Sequence, residues 1–102
     1  MIDESSKAAI AIKTARTALG ISQQDFSEMM KVSKTTLARI ETLDSQVKLD
    51  FYMRAIKIFN SYGVTVDAIN SENIVITIDA TAQQKFIDDM ANVSNRRTDR
   101  KL

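Results

Sequence analysis

The segment from Ser22 to Thr42, SQQDFSEMMKVSKTTLARIET, constrains this chain more than any other. Two short apolar repeats of helical spacing flank three residues that belong to neither. Ser22 is an N-cap residue. Asp25, three positions on, makes a capping-box-like pair in which Asp replaces the usual Glu or Gln. Phe26, Met29 and Met30 then share one face. Lys31-Val32-Ser33 interrupts the repeat, and Ser33 is a second N-cap. From there Leu37 and Ile40 face inward, while Lys34, Thr35, Ala38 and Arg39 face away. The spacing predicts helices over about 23–30 and 34–42, joined by a tight turn.

The flanking sequence supplies what such a pair must pack against. Ala8, Ile12, Ala15 and Leu19 recur at steps of four, three and four, an apolar stripe predicting a helix over 5–19 that Gly20 closes. Phe51, Tyr52, Ala55, Ile56 and Phe59 predict another over 48–61. Its start signal is Asp50 in the first turn, at the positive end of the helix dipole, and Gly63 ends it. Beyond Gly63 the period drops to two. Residues 64–69 and 74–79 flank Asn70-Ser71-Glu72-Asn73, a β-hairpin pattern with Ile74, Ile76 and Ile78 on one face. A lone two-stranded hairpin is marginal in water, so this one is expected to pack on the fourth helix or to pair with an equivalent strand of a second subunit. An amphipathic helix is predicted over 82–93, with Phe86, Ile87, Met90 and Val93 inward and Asp88 and Asp89 outward. Residues 94–102 show no apolar period and are expected to form a disordered basic tail. The fold class is therefore mainly α: four helices, a hairpin and a C-terminal helix.

A helix whose outward face carries Lys, Thr and Arg, held by a preceding helix across a short turn, suits a DNA major groove. Over residues 5–63 the chain resembles the Cro- and lambda-repressor-like (XRE) helix-turn-helix family. The likeness is carried by Leu19-Gly20-Ile21-Ser22-Gln23, then Val32-Ser33, then Leu37-Ala38-Arg39-Ile40-Glu41, in order and in register. It implies a four-helix DNA-binding domain over 5–63; the hairpin and helix of 64–93, which need something to pack against, are expected to form a dimerisation appendage. The resemblance also implies that Arg16 on the first helix pairs with Glu41, the bland alternative being two independent surface charges. The family usually has Gly where Lys31 stands, because the backbone there turns left-handed; a side chain costs about 1 kcal/mol. Leu43 also stands where Gly is frequent, and Ser27 where a small Ala is usual.

Charge and composition decide what else is open. Zero Cys and zero His exclude zinc sites, disulfides, thiol catalysis and histidine acid–base chemistry together. Asp88 and Asp89 are neighbours on a helix and point about 100° apart, poor geometry for a shared acid–base site. Gly20 and Gly63 are the only glycines, so there is no glycine-rich phosphate loop. The chain is not expected to be an enzyme, and no cofactor, metal or small-molecule substrate is implied. No apolar run reaches about 18 residues and no signal-peptide pattern opens the chain, which predicts a cytoplasmic protein. The net charge of +1 conceals segregation. Residues 1–60 carry nine Lys/Arg against seven Asp/Glu, residues 61–93 one against five, and residues 94–102 four against one. Local fields rather than the total would govern binding.

Expected base readers are Lys34, Thr35, Ala38 and Arg39; Lys and Arg favour guanine O6 and N7, while Ala and the Thr methyl suit the thymine methyl. Gln23, Ser33, Thr42 and Lys48 are expected at phosphates. Lys31 either joins them or is only tolerated in its turn. Arg96, Arg97, Arg100 and Lys101 either reach DNA or an acidic partner or form a solvated terminus. The reading is a sequence-specific regulator of double-stranded DNA, a bacterial or phage repressor binding a palindromic operator as a homodimer. The alternative is an antitoxin-like interaction module that binds a partner protein through residues 64–93, the hairpin and last helix within the acidic stretch, with DNA binding secondary.

Overall fold

The computed structural model describes residues 3–68 and 72–101, with side chains described through Asn92. Asp3 caps α1 (Glu4–Ala18), its side chain accepting from the Ser6 amide at 2.7 Å. The α1 stripe of Ala8, Ala9, Ala11, Ile12 and Ala15 is buried. Small residues there let neighbouring helices approach closely. Ser22 caps α2 (Gln23–Met30) and Ser33 caps α3 (Lys34–Glu41), each accepting from an amide three residues on at 3.0 Å. Lys48 precedes α4 (Leu49–Ser61) with no side-chain cap, leaving Asp50 in the first turn to meet the helix dipole.

Each of the first four helices runs into a left-handed residue: Gly20, Lys31, Leu43 and Gly63. After α1, α2 and α3 the same paired closure forms. At α2 the Lys31 amide donates to the Glu28 carbonyl at 3.1 Å and the Val32 amide to the Ser27 carbonyl at 3.0 Å. These bonds satisfy carbonyls that the helix end would otherwise leave open. Gly63 is needed for a second reason: a side chain there would collide with the Asp79 carboxylate.

The core lies between the four helices. Phe26 of α2 stacks on Phe59 of α4, ring centroids 5.2 Å apart, with Ile12, Met30 and Leu37 closing around them. Met29 was expected on the same face as Phe26 and Met30 but is 40% exposed; the buried α2 positions are Phe26, Ser27 and Met30. Eight residues give barely two turns, and the third apolar residue falls at the edge of the face. The Val47 amide donates to Ser5 Oγ at 2.8 Å, tying the loop after α3 back to α1.

The hairpin is β1 (Val64–Asp67) antiparallel to β2 (Val75–Ile78), with Val64 opposite Ile78 and Val66 opposite Ile76. Both strands are shorter than expected, and Ile69, Asn70 and Ser71 of the predicted strand end and turn lie outside the described residues. β1 packs on α4 and buries Val64 and Val66; Ile74 and Ile76 are half-buried against the same core.

The last element departs most from expectation. α5 spans Ala80–Lys101 rather than 82–93. It begins earlier because Asp79, read as a strand residue, is its N-cap, accepting from the Ala82 amide at 3.0 Å. Its backbone stays helical through the stretch expected to be disordered. No Gly or Pro follows Gly63 to stop it, and each added residue gains a hydrogen bond. Phe86, Ile87 and Met90, expected inward, are 47%, 59% and 48% exposed. The helix meets the body along an adjoining strip, with Ala82 buried and Lys85 and Asp89 half-buried, so that Phe86, one turn after Ala82, falls at the edge of the contact and Ile87 and Met90 beyond it. Val93 and the tail side chains Arg96, Arg97, Arg100 and Lys101 lie outside the described residues. Among the described residues, no helix is long and apolar enough to cross a membrane.

Candidate nucleic-acid interface

α3 is held from behind at three points. Leu37 is wholly buried and Ile40 nearly so. Glu41, at the end of the helix, has a side chain 1% exposed, facing Arg16 of α1. Arg16 Nε donates to Glu41 Oε2 at 2.7 Å and Nη2 to Oε1 at 2.9 Å, a two-pronged fork. The remaining Arg16 nitrogen, Nη1, donates to the Ile21 carbonyl at 2.7 Å. Gln23 Nε2 adds a third donor to the same carboxylate, at 3.0 Å from Oε1. One buried carboxylate thus fastens α1, α2 and α3 together, and no described buried side-chain polar atom lacks a partner.

With Leu37, Ile40 and Glu41 fixed inward, the turn of about 100° per residue dictates the rest. Thr35 and Arg39 stand opposite the core, with Thr36 and Ala38 on either side. Lys34, Thr35, Thr36 and Arg39 are exposed and Ala38 is half-buried. The face opposite the core carries the Arg39 cation and no carboxylate, because the one acidic residue of α3 is turned inward and paired, while Lys34, seven residues before Glu41 and on the same side of the helix, is exposed at the first turn.

The residues expected at phosphates fringe this helix. Ser33 Oγ donates to Thr36 Oγ1 at 2.9 Å while capping α3. Thr42 Oγ1 donates to the Ala38 carbonyl at 2.9 Å. Lys48 is exposed at the head of α4, and Lys31 is exposed in its left-handed turn, with φ 59° and ψ 41°. Gln23 opens α2, half-buried, its side-chain amide engaged by Glu41.

Two residues escaped the sequence reading. Thr36 lies outside the expected set of base readers, although a helical wheel built from Leu37 and Ile40 puts it on the exposed side. Arg54 of α4 donates Nη1 to the Met30 carbonyl at 3.0 Å, with its guanidinium over the Phe51 ring at 5.6 Å. It pins the end of α2, where the turn toward α3 begins. Nothing in the local sequence signals a bond across 24 residues.

The model of the helix-turn-helix family matches residues 12–69, from the middle of α1 through β1 and beyond. That is 58 of the 102 residues, and α5 lies wholly outside it. No curated protein and no solved structure matches the chain.

Proposed function

The chain belongs to the helix-turn-helix family, as a Cro- and lambda-repressor-like (XRE) member and DNA-binding regulator, and on that premise we propose that it represses transcription by occupying a palindromic operator as a homodimer. The observation that carries this reading is the anchorage of α3. Its apolar side and Glu41 are locked into the core, so the cationic outer face is presented on a rigid support. Lys34 and Arg39 read guanine edges, and Thr35 and Ala38 lie against thymine methyls. Lys31, Ser33, Thr42, Lys48 and the backbone N–H groups of Gln23 orient the helix on phosphates. The protein works beside the DNA it reads, in the cytoplasm. Binding at a promoter excludes other proteins sterically and requires no enzymatic step.

A single reading helix contacts too few base pairs for operator affinity. Two-fold pairing sets two copies of α3 about 34 Å apart, one turn of the duplex. Selection of bound sites from a random DNA pool tests this directly. The expected product is an inverted repeat with half-site centres about 10 base pairs apart. Arg39→Ala and Lys34→Ala should each weaken binding to the selected site by about 1–3 kcal/mol without changing the oligomeric state. A pool with no enriched sequence would overturn the reading.

The exposed apolar face of α5 favours a second reading, in which a partner protein docks there as in antitoxins and DNA contact is secondary. In that case the Arg39 and Lys34 variants would retain partner binding and cellular function.

A further inference from the structure

One hydroxyl on α3 has its hydrogen bonding fixed before any DNA arrives. Ser33 Oγ accepts from the Thr36 amide at 3.0 Å and donates to Thr36 Oγ1 at 2.9 Å. The Ser33 proton is thereby committed to Thr36, and the Thr36 oxygen is held as its acceptor. What Thr36 has left to offer outward is its own proton, and the residue is exposed. We infer that Thr36 is a further base reader, its hydroxyl donating to the keto oxygen of a guanine or thymine beside the guanine that Arg39 takes. The inference rests on the base-reading function proposed above and adds to it a residue and the class of base it selects.

Direction is the first argument. An unconstrained threonine hydroxyl has one proton and two lone pairs and rotates to suit either kind of partner. At the start of α3 that freedom is gone. The unpaired amides of a helix N-terminus make the local field positive, so the two hydroxyl oxygens turn their lone pairs toward the helix and their protons away. The result is a chain from the Thr36 amide to the Ser33 oxygen, on to the Thr36 oxygen, and outward, each link polarising the next. Guanine O6 or thymine O4 completes that chain. The amino groups of cytosine and adenine would set proton against proton and leave the hydroxyl unpaired. Thr35, one residue earlier, carries no such clamp among the described residues.

Position is the second. Thr36 flanks the face opposite the core, three residues before Arg39. That spacing puts the two about 60° apart around the helix and about 4.5 Å apart along it, close to the step of about 3.4 Å between successive base pairs. Arg39 is a donor as well. Two neighbouring donors call for two neighbouring acceptors in the groove, which a random sequence seldom supplies.

Sites selected from a random DNA pool by the full-length protein provide the test. The position where Arg39→Ala relaxes a guanine marks the base pair that Arg39 reads, and an adjacent position should hold guanine or thymine. Placing adenine or cytosine there should weaken wild-type binding about fivefold, the worth of one neutral hydrogen bond. Thr36→Val, which removes only the hydroxyl, should erase that difference, and Thr36→Ser should keep it. Ser33→Asp is the sharper variant. Asp caps a helix as Ser does but, ionised, has no proton to give. Thr36 must then donate inward and present its lone pairs, so the preference should turn to adenine or cytosine. The added charge lowers affinity for every sequence alike, and the ratio between bases is therefore what is read. A Thr36→Val protein with the wild-type preference, or a Ser33→Asp protein that still prefers guanine or thymine, would overturn the assignment and leave base reading by Arg39 standing. A pool with no enriched sequence would overturn both. If circular dichroism shows Ser33→Asp to be poorly folded, Thr36→Val decides alone, since it alters neither a charge nor the cap.

Discussion

Lys31 occupies a backbone conformation that costs an L-residue about 1–2 kcal/mol, at the corner on which the orientation of α3 depends. Leu43 does the same after α3, with φ 65°, and leaves its side chain mostly in water. Glycine would relieve the strain but gives back about 0.5–1 kcal/mol through its freer unfolded chain. Lys31→Gly and Leu43→Gly should therefore each stabilise the fold by about 0.5–1 kcal/mol. The measurement is a rise in urea midpoint at constant slope; a fall would mean that each side chain makes contacts outweighing its strain. Arg16 carries the opposite risk. An exposed pair would be worth about 0–1 kcal/mol, but this one has side chains 12% and 1% exposed. Arg16→Ala strands the Glu41 carboxylate in the core and should cost about 3–5 kcal/mol. The double change Arg16→Met with Glu41→Leu should recover much of that, since it leaves no buried charge unpaired.

At the scale of elements, the hairpin is fastened to the helical body by Tyr52. Its ring is buried in α4, and its hydroxyl shares a hydrogen bond with the Ala68 backbone just beyond β1. Burial raises the phenol pKa above its ordinary value of 10.0, and the nearby Asp67 carboxylate pushes the same way against that hydrogen bond. The folded state thus favours the neutral phenol. The resulting stability is fully present below the unfolded value of about 10 and is lost as pH climbs from there through the higher folded value. Denaturant midpoints taken from pH 7 to 11 should fall less steeply above about pH 10 for Tyr52→Phe than for wild type. Equal slopes would place Tyr52 outside the alkaline transition. The hairpin and the four helices could be read from the chain because each announces itself locally: Ser22 and Ser33 as caps, Gly20 and Gly63 as stops, and the drop in period after Gly63. α5 could not be read so fully. Periodicity in Phe86, Ile87 and Met90 reports that a face is apolar and is silent on what covers it. Asp79 suits a strand end and a helix cap equally. On α3, the outward face follows from Leu37 and Ile40 alone, whereas the Arg54–Met30 bond depends on the finished packing of α4 against α2.

For the whole molecule, a balance of +1 leaves little diffuse attraction to DNA, and binding should rest on a few placed cations. If Lys31 and Lys48 each neutralise one phosphate in both subunits of a dimer, about four counterions are released. The logarithm of affinity should then fall with the logarithm of salt at a slope near −3.6, about 150-fold between 50 and 200 mM. Lys31→Gly makes this test sharp because its two effects separate. It should stabilise the fold, yet it removes two of the four contacts, halving the slope to about −1.8. Fluorescence anisotropy on a selected operator across that salt range reads the slope directly. A Lys31→Gly protein that is more stable but keeps the wild-type slope would show that the lysine touches no phosphate and is only tolerated in its turn. A halved slope would explain why a strained lysine occupies a corner where the family usually keeps glycine.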